Sequence, residues 1–188
     1  MKTVSTPRPH SDARFNRVVE RISAEAFWLR TYQNAIDGMK GVDAIGLDFF
    51  RVSLNSLKEA RLVRLIRVLE DKPRVASFWY LHKCNPSLVE AAAKNGGLDL
   101  SELKGVAYAL VAIRTKTFMH IDKDGIFDPQ AFYIAAGLTN NDVERIIRRL
   151  WKTMNHVHAE VFGKVVEGDE YSGTDIRVLA ELRDASSA

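Results

Sequence analysis

The chain has a single cysteine, Cys84, among 188 residues, so no intramolecular disulfide can form and a secreted disulfide framework is excluded. A reducing compartment fits that count. Only five prolines occur, which leaves long stretches free of the residue that interrupts helices. Long apolar runs are missing too: Gly105 to Ile113 is the longest near-apolar stretch and stops at Arg114, well short of the roughly 20 residues that cross a bilayer. Met1 to Asp12 carries Lys2, Pro7, Arg8, Pro9 and His10 and no apolar block of the kind found in a signal peptide. Charge of one sign is scarce, since 27 Lys plus Arg against 24 Asp plus Glu leave +3. Affinity for nucleic acid would therefore have to come from local clustering of basic residues. The expectation is a soluble, cytoplasmic protein without membrane contact.

Several kinds of chemistry lack their motifs. Asn95-Gly96-Gly97 has neither the further glycines nor the Lys-Ser/Thr of a phosphate-binding loop. His156 and His158 stand two apart on a helical pattern, which separates their side chains by about 200° and prevents joint chelation. Asp122, Asp124 and Asp128 include an Asp-x-Asp-Gly fragment, but the downstream bidentate glutamate of a calcium loop is absent. No serine or cysteine nucleophile with an identifiable base is visible. Neither a cofactor nor a metal is expected.

What is present is a globular composition, 46% apolar and 27% charged, with helical periodicity nearly throughout. Phe15, Val18, Val19, Ile22, Ala26, Leu29 and Ile36 fall on one face of a helix from Ser11 to about Asp37, closed by Gly38 and Gly41. A second helix is predicted from about Asp43 to Asp71, with Ile45, Phe49, Phe50, Leu54, Leu57, Leu65 and Leu69 inward, before Pro73. The two should form an antiparallel pair. Shorter helices are predicted over Arg74 to Lys83 and Pro86 to Asn95, then one from Leu100 to about Met119 or His120 started by Asp99 and Glu102. A short helix begins at Asp128-Pro129 and ends at Gly137, a long one runs from Asn141 to Phe162, and a last short one from Thr174 to Asp184. No strand alternation and no repeat is visible. The predicted fold is all-α, an up-and-down bundle of about four long helices plus three or four short ones. A flexible tail over 1–11, a bundle over 12–165 and a link with a short helix over 166–188 complete the organisation.

One segment mixes polar and apolar residues where a helix should end: Arg114-Thr115-Lys116-Thr117-Phe118-Met119-His120-Ile121-Asp122. An arginine, five residues and a histidine resemble the signature of the HEPN superfamily (higher eukaryotes and prokaryotes nucleotide-binding). More narrowly, the segment is similar to the abortive-infection branch, whose pattern runs approximately Arg-Asp-Lys, three residues, His, one residue, Asp. Arg114, Lys116, His120 and Asp122 match it; Thr115 stands in place of the aspartate and Met119 in place of a small residue. A second pair at similar spacing, Arg149 and His156, lies mid-helix without that flanking pattern.

The resemblance implies a metal-independent endoribonuclease of toxin-like or phage-defence character, with an antitoxin protein as partner. Its chemistry suits the residues. A histidine titrating near neutral pH can move protons at the 2′-hydroxyl and the 5′-oxygen, while a guanidinium holds the phosphate as charge builds. Because the 2′-hydroxyl is the nucleophile, the substrate is RNA. The family's sites combine two motifs across a dimer, so one pair per chain implies a homodimer. Arg114 and His120 would be catalytic, with Thr115, Lys116 and Asp122 supporting.

Other readings of the same residues stay open. Arg114 can snorkel at a helix end while His120 caps its carbonyls, and on an uninterrupted helix the two side chains diverge by about 120°. The chain is then a non-catalytic RNA- or nucleotide-binding module, or a helical interaction domain with no site. Arg145, Arg148, Arg149 and Lys152 share one face of the last long helix, and Arg61, Arg64 and Arg67 form a looser stripe on the second. Such stripes either follow an RNA backbone or are the solvated faces of amphipathic helices. Phe78-Trp79-Tyr80 can stack bases or pack in the core or a dimer contact.

Overall fold

The computed structural model describes residues 13–39, 48–114, 134–168 and 171–178. Every regular element among them is helical, as the periodicity predicts, and the architecture is an all-α bundle. The helices are α1 (Ala13–Gly38), α2 (Asp48–Leu69), α3 (Phe78–Cys84), α4 (Pro86–Gly96), α5 (Leu100–Ile113) and α6 (Asn140–Phe162). A further helical turn covers 174–178.

Local chemistry sets the boundaries. Asn85 accepts from the Leu88 N–H and Pro86 opens α4, which ends at Gly97 with φ of 69°. Asp99 caps α5 by accepting from the Ser101 and Glu102 N–H groups. Thr139 and Asp142 form a reciprocal capping box at the start of α6, and Gly163 ends it with φ of 73°. The helix predicted from Arg74 starts instead at Phe78. Arg74 takes φ of 74°, which no right-handed helix accommodates, and extended Ser77 caps Tyr80. At the other end of this connection α2 stops at Leu69, two residues before the predicted Asp71.

Packing confirms most of the inward faces. On α1, Phe15, Val18, Val19, Ile22, Ala26, Leu29 and Ile36 are all buried, and on α6 so are Val143, Ile146, Ile147, Leu150, Met154 and Val157. On α2 the burial shifts toward its C-terminal half: Leu62, Ile66 and Val68 join Leu65 and Leu69 in the core, while Phe50, Leu54 and Leu57 are half-buried. Arg61 meets Gln33 and Arg64 meets Glu25, so α1 and α2 run antiparallel. α6 is antiparallel to α1 as well, with Asn140 near Arg61 and Trp151 against Phe27. α4 crosses α6 closely at Gly96, where a Cβ would clash with Thr153. α5 packs chiefly on α2.

Candidate functional site

Arg114 follows the last residue of α5 with helical angles, φ −53° and ψ −47°. Its side chain is 23% exposed and donates through Nη1 to Glu70 Oε1 at 2.9 Å, tying the end of α5 to the residue after α2. Lys72 Nζ reaches the same oxygen at 2.7 Å. Donation from Lys72, followed by Arg114, holds the Glu70 carboxyl below the ordinary glutamate range against the opposing effect of burial. Two cations on one carboxylate leave a net positive charge. The buried Arg114 Nε has no hydrogen-bond partner among the described residues. Thr115, Lys116, His120 and Asp122 lie outside the described residues, as does the Asp122 to Asp128 segment.

Beside this anchor is a hollow of about 160 Å³ whose lining includes Glu70, Asp71, Lys72, Lys104, Tyr108 and Val111. Tyr108 is 68% exposed, and Gly105 and Ala112 on the same side of α5 are exposed too. This outward face is small and apolar apart from Lys104, an uncommon surface for a helix in contact with water.

The basic face of α6 forms as its spacing predicts. Arg145, Arg148, Arg149 and Lys152 line a groove of about 550 Å³ with Gly96 and Gly97 at the end of α4. Three of the four are ion-paired. Arg145 donates to Glu102 at 2.7 Å and to Asp142 at 2.6 Å, Arg149 donates to Glu102 at 2.9 Å, and Arg148 to Glu144 at 2.6 Å. Lys152 makes no ion pair among the described residues. Thr139 first, then Arg145, hold the Asp142 carboxyl below its usual range. An RNA phosphate here would displace exposed pairs that each contribute little.

The stripe predicted on α2 does not exist as a surface. Arg61 is 2% exposed and bonded to Gln33 and Asn140. Arg64 pairs with Glu25 at 2.6 Å under the rings of Trp28 and Tyr32. Of the three, only Arg67 is exposed. Helical spacing aligned the three, but the packing of α1 against α2, with Asn140 of α6 reaching Arg61, divides them. Phe78 and Trp79 are core residues, and Tyr80 is half-buried with Arg14 over its ring, so the aromatic triplet is packing.

Glu70 and Glu102, which position Arg114, Arg145 and Arg149, carry no sequence signal for those roles because their partners lie more than forty positions away. The charge of the neighbouring segments alone hints at such pairs. Compared with known proteins, the chain matches no family model, no curated protein and no solved structure.

Proposed function

We propose that the protein is a HEPN-type, metal-independent endoribonuclease acting as a homodimer, of the toxin-like kind found in abortive infection. The observation that carries the reading is Arg114: a guanidinium at the end of a bundle helix, partly exposed and fixed through one nitrogen by Glu70. A cation held this way is preorganised to bind a phosphate as negative charge develops on it. In the hollow beside it Lys72 and Lys104 balance Glu70 and Asp71, and Tyr108 supplies a ring on which a base can stack.

In this mechanism the 2′-oxygen of RNA forms a new bond to phosphorus while the P–O5′ bond breaks. His120 of one copy takes the 2′ proton and His120 of a second copy returns a proton to the 5′-oxygen. Arg114 holds the phosphoryl oxygens, with Lys116 and Asp122 in support. The uncovered face of α5, bearing Gly105, Tyr108 and Ala112 just before Arg114, fits the dimer contact that would join the two half-sites. The Arg145 to Lys152 groove extends the RNA path, and an antitoxin protein would act by covering either surface.

The test is RNA cleavage in EDTA by wild type, Arg114→Ala and His120→Ala. Wild type cuts, and each variant loses about a hundredfold or more. Dependence on Mg²⁺, or undiminished cleavage by His120→Ala, overturns the mechanism. A second reading is favoured by one observation, the carboxylate partner already occupying Arg114: a non-catalytic module that binds RNA or a nucleotide. It predicts a gel shift with intact RNA.

A further inference from the structure

Arg61 is the charged residue whose environment leaves most unexplained. It is 2% exposed, yet its direct partners are neutral amides, Gln33 Oε1 at 2.6 Å and Asn140 Oδ1 at 3.3 Å. It makes no ion pair with a described carboxylate, and its Nε is buried without a hydrogen-bond partner. Burial lowers the Arg61 pKa, with Asp37 and then Glu144 opposing from a distance, and the guanidinium remains charged at neutral pH. A buried cation without a contacting counter-ion is costly unless something else supplies the charge.

The space to supply it is present. Arg61 lines a cavity of about 570 Å³ together with Asn55, Lys58, Thr139 and Asn140 on its polar side. Leu62, Ile134, Leu138 and Val143 form the apolar side. No described carboxylate belongs to this lining. Lys58 stands one helical turn before Arg61 on α2 and makes no ion pair among the described residues. Lys58, Arg61 and Asn140 also line an adjoining space of about 180 Å³, whose one described carboxylate, Glu144, is ion-paired with Arg148. The N-terminus of α6 opens here, where the dipole is partly offset by the capping carboxylate Asp142, so the two cations carry the positive potential. The volume lies in the range of small-molecule sites, which combine apolar walls with a few converging polar groups.

We propose that this cavity binds a small organic anion, a phosphate or carboxylate headgroup on an apolar body, with Arg61 and Lys58 holding the headgroup and Leu62, Ile134, Leu138 and Val143 packing the body. The site is separate from Arg114. Nine positions along α2 from Arg61 to Glu70 correspond to about 13 Å, and the binding stands whether or not the chain cleaves RNA.

The experiment is thermal unfolding of the full chain at constant ionic strength with phenyl phosphate, benzoate or inorganic phosphate. Phenyl phosphate or benzoate raises the Tm by at least about 2 °C, and inorganic phosphate, lacking the body, raises it less. Which of the two aromatic anions acts more strongly identifies the headgroup. Lys58→Gln keeps the unliganded Tm and reduces the shift several-fold. Asn140→Asp places a carboxylate beside Arg61, raises the unliganded Tm and abolishes the shift. These two variants keep the test decisive even if Arg61→Met does not fold. No shift with either aromatic anion overturns the proposal. So does a shift that survives Lys58→Gln and Asn140→Asp, or one that disappears instead in Arg148→Gln/Lys152→Gln, which would place binding in the other groove. Equal stabilisation by inorganic phosphate overturns the apolar half of the site.

Discussion

Arg114 Nη1 donates to Glu70 Oε1 at 2.9 Å, across 44 residues of sequence. The bond fixes a guanidinium at the end of α5 to the carboxylate just beyond α2, with Glu70 only 15% exposed. Glu70→Gln keeps the shape and removes the charge. It is expected to lower stability by about 1–2 kcal/mol and to reduce RNA cleavage beyond what the stability loss explains. Urea unfolding and single-turnover cleavage, measured on the same preparation, separate the two effects. Unchanged cleavage would assign Arg114 a structural role only.

The same carboxylate gives a pH dependence with a definite sign. Glu70 and Asp142 both titrate below their ordinary values in the folded chain, so the folded state holds fewer protons than the unfolded one in that region. Their contribution is fully present above the ordinary carboxylate range, about pH 4, and is lost as the pH falls through the folded values. Urea midpoints measured between pH 6 and about 3 should fall less steeply for Glu70→Gln than for wild type. Parallel curves would contradict the pairing.

How much of this was legible beforehand differs by element. The buried faces of α1 and α6 follow from apolar spacing because each helix meets the core along one stripe. The caps at Asn85, Asp99 and Thr139 were readable because capping is local chemistry. The start of α3 was not, since the left-handed angle at Arg74 has no residue-type signature. Arg61 looked like part of a surface stripe, and only the approach of Gln33 and Asn140 from other helices shows that it is buried. At the candidate site, the sequence placed Arg114 in the closing turns of a helix predicted to run to about Met119 or His120, of which 115–120 lie outside the described residues, whereas its anchor Glu70 is a tertiary contact.

Glycine substitutions should separate a close crossing from an open face. At Gly96 a Cβ would meet the backbone and side chain of Thr153, so Gly96→Ala is expected to cost about 1–3 kcal/mol. At Gly105 nothing lies within 4 Å, and Gly105→Ala should stabilise the monomer by about 0.5–1 kcal/mol through helix propensity. Chemical denaturation of both variants checks the contrast. Equal effects would contradict the described packing of α4 on α6.

The exposed side of α5 is where the proposed dimer contact would form. Tyr108 is 68% exposed there, and Tyr108→Asp should convert a dimeric wild type to a monomer without lowering its intrinsic helicity. Light scattering after size exclusion gives the mass, and circular dichroism the helicity. The monomeric variant should also lose RNA cleavage, because in the proposed composite site each chain would supply one half. A monomeric wild type that cuts RNA would contradict the composite site.

The chemical identity of the RNA ends tests the central claim most directly. Mass spectrometry of fragments produced in EDTA should find 2′,3′-cyclic phosphates on one side of each cut and 5′-hydroxyls on the other. RNA carrying 2′-O-methyl groups throughout should stay whole, since the nucleophile is blocked. Fragments with 5′-phosphates, cleavage of the methylated RNA, or RNA left intact by a folded dimer would contradict the account.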